Sequence, residues 1–176
     1  MLYTGKGDGG TTKLFGCNQE RIAKSSEVPE ALGALDELNA FIGFVKMHPD
    51  APERITKGLR EAQEALFIIQ AEVAGSDKRL KEGAAEAMSE VVNEIEKEIP
   101  PVTGFSIAGG TELSAKLDVA RTVARKAERR VTAAELTGRA ISPATKAYLN
   151  RLSSLLFAYA RLANHLAGVK EENPKY

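Results

Sequence analysis

Apolar residues recur every three or four positions in five stretches of the chain after residue 28, which is the spacing of one buried helix face. The first runs from Pro29 to His48 with Leu32, Leu35, Leu38, Phe41, Ile42 and Val45 inward, and Pro49 stops it. The second starts at Pro52 and turns Ile55, Leu59, Ala62, Leu66, Ile69 and Val73 to one side before Gly75-Ser76-Asp77. A third, Lys81 to Glu98, carries Ala84, Ala87, Met88, Val91 and Ile95, and Pro100-Pro101 breaks it. The fourth, Glu112 to Leu136, has Leu113, Leu117, Ala120, Ala124, Ala127 and Val131 as its stripe. Ser142-Pro143 opens the fifth, a hydroxyl N-cap followed by proline at the first helical position. It buries Leu149, Leu152, Leu156, Tyr159, Ala163 and Leu166, and Gly168 closes it. Five amphipathic helices on short connections share one core only as a bundle. The pattern therefore predicts an all-α fold, a five-helix bundle behind a Gly-rich extended amino-terminal segment.

Composition narrows the class. At 176 residues the chain makes one domain, 1–176, with no internal repeat. Lys plus Arg and Asp plus Glu both number 24, so no cationic surplus faces nucleic acid. The single Cys17 excludes an internal disulfide or a multi-cysteine metal site, and two histidines leave little for a histidine metal centre. No apolar run approaches ~18 residues, and nothing resembles an export signal, so a soluble, cytoplasmic protein with no membrane partner is expected.

Two segments fall outside the helical pattern. Gly5-Lys6-Gly7-Asp8-Gly9-Gly10-Thr11-Thr12-Lys13 can turn backbone N–H groups around an anion, with Lys and Thr adding charge and donors. Lys24 adds a nearby cation. The spacing Gly5-x-Gly7-x-x-Gly10 mimics a dinucleotide fingerprint, but only four residues precede it and Thr12 to Phe15 read as extended. No Gly-Lys-Ser/Thr closes it as a Walker loop. A phosphate cradle and a flexible chain start fit this stretch about equally. The other segment, Val102 to Thr111, is Gly-flanked and polar around Phe105, whose ring has no evident core position.

The fourth helix gathers Arg121, Arg125, Lys126, Arg129 and Arg130 within ten residues, against Asp118 and Glu128. Arg121, Arg125 and Glu128 share one face at i, i+4 and i+7. Such triplets are most often solvated, but the charge imbalance suits a polyanion such as triphosphate, which guanidinium forks bind well. Asn150 flanks the buried stripe of the fifth helix, either solvated or bonded to a ligand between the two helices.

Together these pieces resemble the ATP:cob(I)alamin adenosyltransferases of the propanediol-utilisation type. They are Tyr3 to Thr12, Glu30 to Asn39, Phe105 to Gly110, Ala120 to Arg130, and Tyr148 to Ser153, in that order along the chain. The resemblance implies a homotrimer with active sites at subunit interfaces, transferring the 5′-deoxyadenosyl group of ATP to cob(I)alamin and releasing triphosphate. It implies ATP as co-substrate, cobalamin as substrate, Mg²⁺ as the accompanying ion, and a cobalamin reductase as a partner.

By the same resemblance residues 1–28 form the nucleotide-binding segment, in which Thr4, Gly5, Lys6, Gly7, Thr12, Lys13 and Lys24 wrap ATP. Arg125, Lys126, Ala127, Glu128, Arg129 and Asn150 hold the nucleotide from the helices, and Asp36 pairs with Arg121 of the neighbouring subunit. Phe105 sits under the corrin and excludes the lower axial ligand, completing a catalytic set of Arg121, Arg125, Glu128, Asp36 and Phe105. The family usually has Pro where this chain has Ala108, and the stretch Gly16 to Gln19 is slightly longer than typical.

Two other readings compete. A helical interaction or ATP-binding module without catalysis would use Arg121 to Arg130 as a docking face, and would have no special need of Phe105 or Asn150. A di-metal carboxylate bundle needs two Glu-x-x-His pairs, but Val45 and Leu162 stand three residues before His48 and His165. The second of these is excluded.

Overall fold

The computed structural model describes residues 3–15 and 20–176; Cys17 and the rest of the Gly16 to Gln19 stretch lie outside the described residues. A short antiparallel hairpin, β1 (Thr11–Lys13) and β2 (Arg21–Ala23), precedes five helices. These are α1 (Glu27–Lys46), α2 (Glu53–Ala74), α3 (Ala84–Glu98), α4 (Glu112–Leu136) and α5 (Pro143–Leu166). The architecture is thus helical with one small two-stranded sheet.

Local chemistry explains where each helix begins and ends. α1 starts two residues before Pro29, because a proline in the first turn gives up no N–H that the helix would use. It stops at Lys46, since the residue before Pro49 is pushed out of helical geometry. Gly75 ends α2 in the left-handed region at φ 108°. Gly83, at φ 81°, delays α3 from the expected Lys81 to Ala84. Thr111 Oγ1 caps α4 by accepting from Ser114 N at 3.1 Å, and Ser142 Oγ caps α5 from Thr145 N at 3.2 Å.

α4 lies between α1 and α5; α2 packs on the outside of α1, and α3 on α5. α2 also reaches α5, where Gly58 makes room for Tyr159: a Cβ there would stand 2.0 Å from the Tyr159 hydroxyl oxygen. The apolar stripes of α2 and α4 are buried as expected. Corrections fall at the edges. Leu32 and Phe41 are only partly buried, Ala87 is exposed while Ala85 takes its place, and Leu166 is exposed at the frayed end of α5.

The buried polar residues carry the least expected information. Glu72 is fully buried and accepts from Ser142 N at 2.6 Å and Thr145 Oγ1 at 2.7 Å, fastening α2 to the start of α5. Asp118, Arg161 and Asn164 are buried at the other end of the α4–α5 pair. No helix is long and apolar enough to cross a membrane among the described residues.

Candidate functional site

The amino-terminal residues form a built turn. Asp8 N donates to Gly5 O at 3.2 Å, Gly10 N to Gly7 O at 3.1 Å, and Lys24 N to Gly10 O at 2.9 Å. Gly5 and Gly10 hold φ of 67° and 74°, where a side chain would be strained. A Cβ on Gly7 would lie 3.1 Å from Lys24 Nζ, so the Lys24 ammonium rests against the turn. β1 and β2 pair Thr12 with Ile22 and Lys13 with Arg21. Arg21 is a residue that sequence reasoning passed over. Its guanidinium donates to Thr11 Oγ1 at 2.7 Å, to Thr11 O at 2.6 Å and to Lys6 O. Thr4, Lys6 and Lys13 are exposed on this turn, and Thr12 is half-buried.

The cationic run of α4 resolves into two groups. Lys126 pairs with Glu37, and Arg130 lies 3.7 Å from Glu30 and 4.0 Å from Glu27, all on α1. Arg121 Nε donates to Asp118 Oδ1 at 3.2 Å. Arg125 and Arg129 are exposed and have no ion-pair partner among the described residues. These two line an open pocket of about 310 Å³ together with Glu128, Thr132 and Asn150. Asn150 Nδ2 donates to Glu128 Oε1 at 2.9 Å across its floor. Two unpaired guanidiniums held beside a carboxylate and a carboxamide make an anion site with directional donors.

Ala127 belongs elsewhere. It is fully buried in the core, so it lets helices approach α4 but offers a ligand no side chain. Asp36 is exposed on α1 and has no ion pair within the chain among the described residues. Its expected partner Arg121 turns to Asp118 of its own helix.

Phe105 is 78% exposed, so it caps nothing within the chain. Its loop precedes α4, where Ser114 Oγ donates to Gly109 O at 3.0 Å. From Ser114 to Glu128 α4 climbs roughly 20 Å at ~1.5 Å per residue. The chain therefore brings Arg125, Glu128, Arg129 and Asn150 together and sets Phe105 apart from them along the bundle. The glycine turn lies toward the arginine end. β2 leads into the first turn of α1, which Arg130 contacts, and Phe15 O sits beside Gly75 and Arg139.

Sequence reasoning missed Arg161, Asn164 and Glu171, and noted Asp118 only as an acid near the arginine run. A signal existed for one of them. Arg161 interrupts the run Ala158-Tyr159-Ala160-Arg161-Leu162-Ala163, every member of which is buried.

The family model described as cobalamin adenosyltransferase matches residues 2–163, and the chain belongs to that family. It is 35% identical over 169 residues to a cobalamin adenosyltransferase of Cupriavidus metallidurans, covering 95% of this chain and 90% of that protein. It is 34% identical to a corrinoid adenosyltransferase of Bacillus subtilis, covering 96% of this chain and 89% of that protein. Among solved structures it matches a phenylalanine-to-histidine variant of the PduO-type ATP:corrinoid adenosyltransferase from Lactobacillus reuteri, complexed with cobalamin and ATP. The TM-score there is 0.90 at 29% identity, covering 97% of this chain and 95% of that one.

Proposed function

We propose that this chain transfers the 5′-deoxyadenosyl group of ATP to the cobalt of cob(I)alamin, forming adenosylcobalamin and releasing triphosphate. The observation that carries this reading is the pair Arg125 and Arg129, the two cations of the α4 run with no ion pair among the described residues, converging with Glu128 and Asn150 on one pocket. A docking face for a protein would not need those two arginines kept apart from the acids that satisfy their neighbours. Membership of an adenosyltransferase family supports the catalytic reading over a non-catalytic module.

In the transfer, the cobalt lone pair attacks C5′ of ATP, the cobalt–carbon bond forms, and the C5′–oxygen bond breaks with its electrons passing to triphosphate. Negative charge therefore grows on the leaving oxygen. Arg125 and Arg129, brought to one pocket by α4, would stabilise it; one such donor is worth ~10²–10³ in rate. Lys24, Lys6 and the glycine turn would close on the phosphates from the other side. No residue needs to move a proton, since neither bond that changes involves hydrogen.

Magnesium fits this pocket as an ion carried by phosphate. Glu128 is the one carboxylate lining it among the described residues, and Mg²⁺ commonly takes one or two carboxylates with substrate phosphates and waters. Glu128 would hold it, with Asn150 fixing the carboxylate. The ion would supply further neutralisation of the triphosphate.

Phe105 faces the corrin in this reading, its exposed ring filling the place of a lower axial ligand. A homotrimer with interfacial sites would let Asp36 meet Arg121 of the next copy, and a cobalamin reductase in the cytoplasm would deliver the electron. The test of the bond broken is phosphorus NMR of the products. Triphosphate formed in step with alkylcobalamin supports C5′ displacement, and ADP with phosphate overturns it.

A further inference from the structure

The loop of Phe105 is held by polar ties rather than by packing. Phe105, Ile107 and Val102 are all exposed, and a cavity of about 350 Å³ separates residues 99–106 from the segment after α5. Glu171 on that segment supplies the ties. Its Oε2 accepts from Ser106 Oγ at 3.2 Å, and its Oε1 accepts from Asn164 Nδ2 at 3.1 Å and pairs with Arg161 Nε. Ile107 N donates to the neighbouring Glu172 carbonyl at 2.8 Å. The two residues that follow Phe105 are thus both fastened to this segment.

Asn164 holds the other end of the loop. Its Nδ2 donates to Gly109 O at 2.9 Å and its Oδ1 accepts from Thr111 N at 3.0 Å. Gly110, at φ 103°, passes so close that a Cβ would stand 2.5 Å from Asn164 Oδ1.

The charge on Glu171 is anchored in depth. Arg161 is 3% exposed, and its Nη2 donates to Asp118 Oδ2 at 2.9 Å. Asp118 also accepts from Arg121, and the Phe157 ring lies 4.8 Å from the Arg161 guanidinium and 5.9 Å from that of Arg121. Charges alternate from Glu171 through Arg161 and Asp118 to Arg121. Burying such ions is costly unless each is paired, and Arg161 keeps Asp118 as its buried partner when Glu171 is changed.

We propose that Glu171 is a positioning residue of the adenosyl transfer: it latches the loop after Phe105 to the buried Arg161 and so fixes where the Phe105 ring stands. This inference rests on the reading of Phe105 as the residue facing the corrin. Asn164 shares the latch. Arg121 lies at the far end of the same charged row.

The test is Glu171→Ala beside Glu171→Gln, which keeps an acceptor for Ser106 and Asn164 but drops the charge. Glu171→Ala should raise the KM for cobalamin and lower turnover from cob(II)alamin about tenfold, the scale of a lost charged hydrogen bond. The KM for ATP should stay within about twofold, and Glu171→Gln should recover part of the loss. Amide exchange at Ile107 should quicken in Glu171→Ala while the melting temperature holds. Unchanged cobalamin KM with unchanged Ile107 exchange overturns the latch. Parallel rises in both KM values with a fallen melting temperature also overturn it, as general support of the fold. If the unaltered protein makes no alkylcobalamin, the functional reading fails, and exchange at Ile107 alone still decides whether Glu171 holds the loop.

Discussion

Asn150 on α5 donates a hydrogen bond to Glu128 on α4 at 2.9 Å, across the pocket that Arg125 and Arg129 line. The bond orients the Glu128 carboxylate and leaves each side chain further polar capacity for a ligand. Replacing Asn150 with Asp sets a second anion against Glu128 where, in the proposed function, triphosphate binds. ATP affinity in Asn150→Asp should fall by more than in Asn150→Ala, as titration calorimetry with ATP would show. Equal losses would mean the bond has no part in nucleotide binding.

In the proposed transfer Arg125 acts through its fork, not only its charge. Arg125→Lys keeps the cation but gives up paired, planar donors. Turnover should drop by ~10²-fold, the scale of one displaced transition-state donor. A surface charge with no ligand would tolerate the change, so near-normal kcat/KM in this variant would contradict the assignment.

Asp36 and Arg121 test the assembly. Within the chain Asp36 has no ion pair among the described residues, and Arg121 shares Asp118 with Arg161. Arg121 is therefore already held by a carboxylate of its own helix. A double-mutant cycle on activity and subunit association should show coupling of about 1 kcal/mol or more if the two meet across copies. Additive effects would place them apart.

Phe105 is exposed, so its removal should cost the fold little. Phe105→Ala should keep the melting temperature and ATP binding near normal while turnover beginning from cob(II)alamin falls sharply. Supplying cob(I)alamin ready-made should restore most of the rate. Loss of thermal stability in step with activity would make the ring a structural part.

Alkaline pH should expose the two buried tyrosines. Burial raises the hydroxyl of Tyr159 from its ordinary value of 10.0 to about 12, and raises that of Tyr148 further. Above pH 10 the unfolded chain loses these protons while the folded chain keeps them, so stability is full below pH 10 and falls as pH rises toward 12. The slope is roughly 1.4 kcal/mol per pH unit for each tyrosine. Tyr159→Phe should flatten the fall of urea stability between these values; an unchanged slope would assign it to other groups.

The helices were legible because burial imposes a period. Ile55, Leu59, Ala62, Leu66, Ile69 and Val73 on α2 are buried at that spacing. The helix starts were less so, since Gly83 in a left-handed turn moves the beginning of α3 without altering the apolar pattern. For the site, the arginine run was visible as an excess of charge, but which arginines are unsatisfied was not. That depends on Glu37, Glu30 and Glu27 arriving from α1, a relationship of packing and not of neighbours in sequence. Ala127 illustrates the converse. It sits inside the most recognisable motif yet faces the core, because a motif on a helix includes positions of every face. Glu171 lies beyond the last helix, where no periodicity marks a position as fixed.

The central claim is the transfer of the adenosyl group to cobalt. The visible spectrum of chemically reduced cobalamin mixed with the protein, with and without Mg-ATP, tests it most directly. Conversion to an alkylcobalamin spectrum that requires both protein and ATP is the predicted result, and it should be lost in Arg125→Lys. Persistence of the cob(I)alamin spectrum in the presence of ATP and protein, or an alkylcobalamin spectrum formed equally without ATP, would contradict the account.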